Sequence, residues 1–228
     1  AFSPLQAPIL NSSAVTPNVM ILFDNSLSMN TLVQPDGADL VTPSAKYLEN
    51  ASNTWVVTLP LDRNLLSDMK QGSYCNSGFK ELRNNAAQKS SQRCYKLPDP
   101  VGGSKTRYTA KTLTYIYNTY TNTGKSGNDL TLVLPNDSRI SAARNVINKL
   151  VEDNRSLRYG FFTFNDNAGA SLKYSIKNMS PVVSTNPSVA VSKAQADSNF
   201  SDFKTNVSAI VPSNRTPLAE SYYEISRY

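Results

Sequence analysis

Histidine is missing altogether from this 228-residue chain, which removes histidine-based triads, general bases and zinc sites together. Most familiar hydrolases are thereby excluded. Cysteine is scarce: there are two, Cys75 and Cys94, and two thiols with no third or fourth ligand cannot close a zinc site. A disulfide is the favoured reading, closing a loop of about 20 residues and stabilising by about 3 kcal/mol. It implies an oxidising compartment. No apolar run approaches the roughly 18 residues that a membrane span requires. The chain opens on Ala1-Phe2-Ser3-Pro4, without a charged n-region or apolar h-region, as expected of a mature product whose signal peptide has been removed.

Basic residues outnumber acidic ones by 23 to 17, a net charge of +6, and the excess is local. From Lys70 to Lys111 nine Lys and Arg stand against Glu81 and Asp99. Within that stretch Lys80, Arg83, Lys89, Arg93 and Lys96 are candidates for contact with an anionic surface. They are spaced singly, with no helical period, so a solvated face is the favoured reading and specific nucleic-acid binding is not expected.

Residues 1–17 hold Pro4, Pro8 and Pro17 and read as an extended lead-in. Val19-Met20-Ile21-Leu22-Phe23 then forms a continuous apolar run ending at Asp24, the pattern of a strand buried on both faces. A second such run spans Tyr159 to Phe164. Between them Pro135-Asn136-Asp137-Ser138 offers capping side chains to a helix with Ile140, Ala143, Ile147, Leu150 and Val151 on one face. Strand, helix, strand is a βαβ crossover. Leu172, Tyr174 and Ile176 alternate with polar residues as a half-exposed edge strand. Phe200, Phe203, Val207 and Ile210 suggest a second helix. A third begins at Thr216-Pro217, threonine as N-cap and Leu218, Tyr222 and Ile225 on one face.

About 107 residues separate the first strand from its crossover helix, where 2 to 6 are usual. Residues 30–137 therefore read as an inserted subdomain between two parts of an α/β core, 18–29 and 138–228. The insert carries both cysteines and a Thr- and Tyr-rich segment, Thr106 to Thr123, whose composition favours strands.

At the end of the first strand stands Asp24-Asn25-Ser26-Leu27-Ser28-Met29. Ligands collect outside such strand ends in open α/β sheets, and one carboxylate with several hydroxyls suits a hard cation, Mg²⁺ first, with Mn²⁺ or Ca²⁺ as alternatives. The same residues also suit a plain strand end with Asp24 capping the next turn. Asp-x-Ser-x-Ser-Met after a buried strand resembles the first motif of the von Willebrand factor A domain. Thr216, in Arg215-Thr216-Pro217-Leu218-Ala219-Glu220, falls where the second motif of that family belongs. The resemblance implies a doubly wound, Rossmann-like α/β fold with a metal-ion-dependent adhesion site on Asp24, Ser26, Ser28 and Thr216. An aspartate that A domains contribute after a further strand is lacking, so the fold is expected to be incomplete at its C-terminus, with an exposed sheet edge.

A narrower resemblance rests on Thr16-Pro17-Asn18-Val19-Met20, the cysteine-bearing insert, and Thr216-Pro217-Leu218-Ala219-Glu220-Ser221 with Tyr223 and Arg227-Tyr228. These are similar to the amino-terminal A domain of the PilY/PilC family of type IV pilus tip adhesins and assembly factors. That resemblance implies a secreted bacterial protein, reaching the cell surface and pilus tip through the periplasm. Its partners would be minor pilins and a host or abiotic surface ligand bound through a carboxylate. The competing expectation is a structural cap that docks on minor pilins to prime pilus assembly, without a working metal site and with the Cys75–Cys94 insert as its working surface.

No enzyme is expected. Ser26 stands where a haloacid-dehalogenase-type phosphotransferase needs a second aspartate. Three Ser-x-x-Lys matches, at Ser67, Ser77 and Ser201, lack their partner motifs. Gly124-Lys125-Ser126 ends like a phosphate loop but has neither the first glycine nor a leading buried strand.

Overall fold

A computed structural model describes residues 16–42, 47–49, 55–57, 63–69, 74–84, 91–121, 124–166, 169–184, 186–213 and 215–228. The lead-in before Thr16 and Lys89 lie outside the described residues. Along the chain run β1 (Asn18–Phe23), short 3₁₀ turns at Leu27–Asn30 and Ala38–Leu40, β2 (Tyr47–Glu49), β3 (Trp55–Val57), β4 (Arg63–Leu65), β5 (Lys80–Arg83), β6 (Arg93–Lys96) and β7 (Arg107–Thr109). There follow α1 (Ala110–Thr119), β8 (Asn128–Asp129), α2 (Arg139–Asp153), β9 (Arg158–Phe164), β10 (Ala170–Asn178), α3 (Lys193–Ser208) and α4 (Leu218–Ser226). Two compact units result. Among the described residues the first comprises 16–24, 146–210 and 215–228, and the second 25–145 and 211–213.

The first unit is a three-stranded sheet in the order β1-β9-β10. β1 runs parallel to β9 in unbroken register from Asn18↔Arg158 to Phe23↔Thr163, and β10 returns antiparallel along the other side of β9. Successive strand residues face opposite ways, and this sheet is covered on both sides. On one face Phe203 of α3 meets the rings of Tyr159, Phe161 and Tyr174 at 5.3–6.2 Å. On the other, Tyr228 meets Phe162 edge-on at 5.5 Å. Double coverage explains why the sequence of β9 is continuously apolar and aromatic. The turn from β9 to β10 is closed by Asn165 N–H donating to the Gly169 carbonyl (2.9 Å). Gly169 has φ +77°, and a Cβ there would lie 2.8 Å from the Glu224 carboxylate of α4, which accepts from the Ala170 N–H at 2.8 Å.

The second unit holds a five-stranded sheet, β3-β2-β5-β6-β8, and a two-stranded ribbon, β4-β7. Its core gathers Leu32, Leu66, Met69, Leu82, Tyr95, Leu97, Tyr108, Leu113, Ile116, Tyr117, Leu130 and Leu134. The strand expectation for Thr106 to Thr123 is corrected here: among the described residues of this segment only Arg107–Thr109 is a strand, and a helix follows. The Thr109 side chain accepts from the Thr112 N–H (3.1 Å) as an N-cap. Leu113, Ile116 and Tyr117, at helical spacing, then enter the core, so packing outweighs β-propensity.

The doubly wound, Rossmann-like A-type fold is likewise corrected. The described residues form three separate sheets instead of one continuous wound sheet, with a single parallel pair, β1–β9, in the first unit. The chain turns back after β9 into an antiparallel edge strand, and the long connection after β1 builds sheets around a core of its own.

Candidate functional site

The Asp24 motif begins where β1 ends. Ser26 and Ser28 carbonyls accept from the Met29 and Thr31 N–H groups (2.9 and 3.1 Å), winding Leu27–Asn30 into its 3₁₀ turn. The Ser26 and Ser28 hydroxyls hydrogen-bond one another at 2.7 Å. Thr216 is exposed and does not start the third core helix: α4 begins at Leu218, Pro217 occupies the capping position and no side chain caps it. Leu218 and Tyr222, expected on one face of that helix, are 60% and 73% exposed.

Among the described residues no group of three or more Asp, Glu, Cys or His side chains is placed to hold a metal ion. The divalent-cation centre expected on Asp24, Ser26, Ser28 and Thr216 is therefore corrected, whether for Mg²⁺, Mn²⁺ or Ca²⁺, and with it metal-dependent adhesion.

The second unit offers a different surface. Cys75 and Cys94 are joined in a disulfide, both buried. The backbone packs closely around it: Asn76 N–H donates to the Lys125 carbonyl (2.9 Å). At Gly127, with φ +43°, any Cβ would run into the Cys94 carbonyl. Gly124-Lys125-Ser126 is thus part of a strap against the disulfide, with the Lys125 ammonium 6.0 Å from the Tyr74 ring centre.

The basic side chains around the disulfide are engaged within the fold. Lys80 Nζ donates to the Met69 carbonyl (2.5 Å), and burial lowers its pKa. Arg83 Nε pairs with buried Glu81 (2.8 Å), whose Oε1 also accepts from Gln92 at 2.7 Å. Arg93 donates to the Tyr117 carbonyl and lies over the Tyr117 ring, 4.0 Å from its centre. Lys96 Nζ pairs with Asp129 at 2.8 Å. Four of the five residues expected to face an anionic surface therefore have internal partners, and Lys89 is outside the described residues.

Asp129 fixes the turn that follows β8. Its carboxylate accepts from Lys96, from the Thr131 hydroxyl (2.6 Å) and from the Thr131 N–H (3.1 Å). These bonds, Lys96 first, bring its pKa down to about 2. In the turn that follows, Leu134 N–H donates to the Leu130 carbonyl (3.0 Å) and both side chains enter the core, leaving Leu132 97% and Val133 58% exposed.

Compared with known proteins, the chain matches no family model, no curated protein and no solved structure. No described helix is long and apolar enough to cross a membrane. Sequence reasoning did not single out the exposed Leu132–Val133 pair. The available signal was Asp129 followed two residues later by Thr131, a side-chain turn that breaks a strand reading.

Proposed function

We propose that the chain is a structural docking module in type IV pilus assembly, in which the disulfide-bearing unit seats on minor pilins without the help of a metal ion. The observation that carries this reading is the presentation of Leu132 and Val133. Two large apolar side chains are held in water on a turn fixed from below by Leu130 and Leu134 and from the side by Asp129. Apolar groups so held lose little freedom on binding and gain from burial in a partner. The disulfide suits passage through an oxidising periplasm to the cell surface and pilus tip. The PilY/PilC resemblance supplies the identity of the partner.

The test is binding of the full chain to purified minor pilins by calorimetry. Leu132→Asp should weaken binding at least tenfold, while Asp24→Ala and chelation of divalent cations leave it unchanged. Equal binding by the Leu132 variant, or loss of binding on chelation, would sink the proposal.

A further inference from the structure

The turn that presents Leu132 and Val133 is rooted in the disulfide. Gly127 N–H donates to the Gly124 carbonyl (2.9 Å), which makes residues 124–127 a tight strap, and each half of the disulfide grips it. On the Cys75 side, Asn76 N–H donates to the Lys125 carbonyl (2.9 Å). On the Cys94 side, Gly127 lies so close that a Cβ would run into the Cys94 carbonyl. β8 follows at once, with Asn128 beside Tyr95 and Asp129 beside Lys96 of β6, and Leu130 N–H donates to the Lys96 carbonyl at 2.9 Å.

The ladder and the ion pair at this root are slight fastenings. β8 pairs with β6 over two residues in parallel, the weaker kind of pairing per residue. The Lys96–Asp129 pair is about half-exposed on both sides, where water screens it. A covalent link outlasts both. With the two sulfurs joined, the Asn76 bond and the Gly127 contact stay in fixed relation to each other. With them apart, the chain between Cys75 and Cys94 regains freedom that a closed loop denies it, and Asn76, which lies ahead of β5, loses its direct tie to Cys94.

We propose that closing the disulfide switches the docking surface on. With Cys75 and Cys94 reduced, the strap loses its seat, the Asp129 turn opens, and Leu132 and Val133 no longer stand in one place to meet a minor pilin. The inference rests on docking through Leu132 and adds the redox control of that surface. The chemistry is thiol–disulfide exchange with an oxidised protein disulfide. Two electrons and two protons pass from Cys75 and Cys94 to that acceptor, one S–S bond forming here as one breaks there and the acceptor leaving as a dithiol. Docking is thereby confined to an oxidising compartment.

The experiment compares the oxidised full chain with Cys75→Ser/Cys94→Ser and with Gly127→Ala, which unseats the strap while thiol titration shows the disulfide intact. In the serine variant the exchange rates of the Leu130, Val133 and Leu134 amides should rise at least tenfold more than that of the Ile116 amide in α1. A link that merely stabilises the whole unit would speed them together. Both variants should bind purified minor pilins at least tenfold more weakly by calorimetry. Equal gains in turn and helix amides, or undiminished binding by either variant, would overturn the switch. Absence of binding by the oxidised chain would sink docking itself, and the amide comparison, which uses no pilin, keeps the two failures apart.

Discussion

The two units hold themselves together by different means. The first relies on strands of six, seven and nine residues and a cluster of rings around Phe203. The second has strands of two to four residues, each contributing few ladder bonds, and adds a disulfide and buried polar contacts. The difference teaches where a covalent link is useful. Long strands and the ring cluster hold the first unit without a covalent link, whereas many short pieces leave more chain entropy to be restrained.

The comparison breaks most readily at Phe203. Phe203→Ala removes the ring that Tyr159, Phe161 and Tyr174 share and should cost about 4 kcal/mol. In denaturant-dependent hydrogen exchange the loss should appear in β9 and β10, while α1 and β6 keep their protection. Uniform loss across both units would show that the two do not unfold separately. The converse experiment is Cys75→Ser with Cys94→Ser, expected to cost about 3 kcal/mol and to accelerate exchange in β5 and β6 with β9 unchanged.

A smaller effect sharpens the contrast at alkaline pH. Burial raises the pKa of Tyr174 in the first unit to about 12, and pushes those of Tyr95 and Tyr108 in the second higher still. Their hydroxyls donate to the carbonyls of Asn199, Tyr120 and Pro98. A raised folded-state pKa means that the stabilisation is complete below the unfolded value near 10 and is lost as pH rises toward the folded value. Chemical denaturation from pH 9 to 12 should therefore show falling stability, with the second unit, whose Tyr95 and Tyr108 are shifted furthest, falling faster. Equal slopes, or tyrosinate absorbance appearing in all three near pH 10 before unfolding, would contradict this.

Much of the first unit was legible in the sequence because its signals are local. The apolar run of β9 announces a strand covered on both faces, whereas in β1 only Phe23 is buried. Of Phe200, Phe203, Val207 and Ile210, expected on one helix, Phe203 and Val207 are buried on α3, Ile210 is buried just beyond its end and Phe200 is half-buried. Periodicity overstated two other faces. Leu150 of α2 is 45% exposed although its neighbour Val151 is buried, and α4 turns Ser221 inward while Leu218 and Tyr222 face water. Helical spacing reports that residues share a side, and cannot report whether anything covers it. The second unit was less legible because its order comes from distant partners. Tyr117 helps fix Arg93 from 24 positions away, and Thr109 becomes a cap only once α1 has a core to enter. The metal centre failed for a related reason: Asp24, Ser26 and Ser28 fit a pattern of residue types, but a cation needs charge brought together in space.

The contact of Glu224 with the turn between β9 and β10 links two distant parts of the gene. A Cβ at position 169 would lie 2.8 Å from the Glu224 carboxylate, the far end of a flexible side chain that can swing aside, so it is the left-handed backbone at φ +77° that reserves this position for glycine. A library randomising both positions should therefore return glycine at 169 whichever residue it keeps at 224, the carboxylate at 224 being selected separately for its bond to the Ala170 N–H.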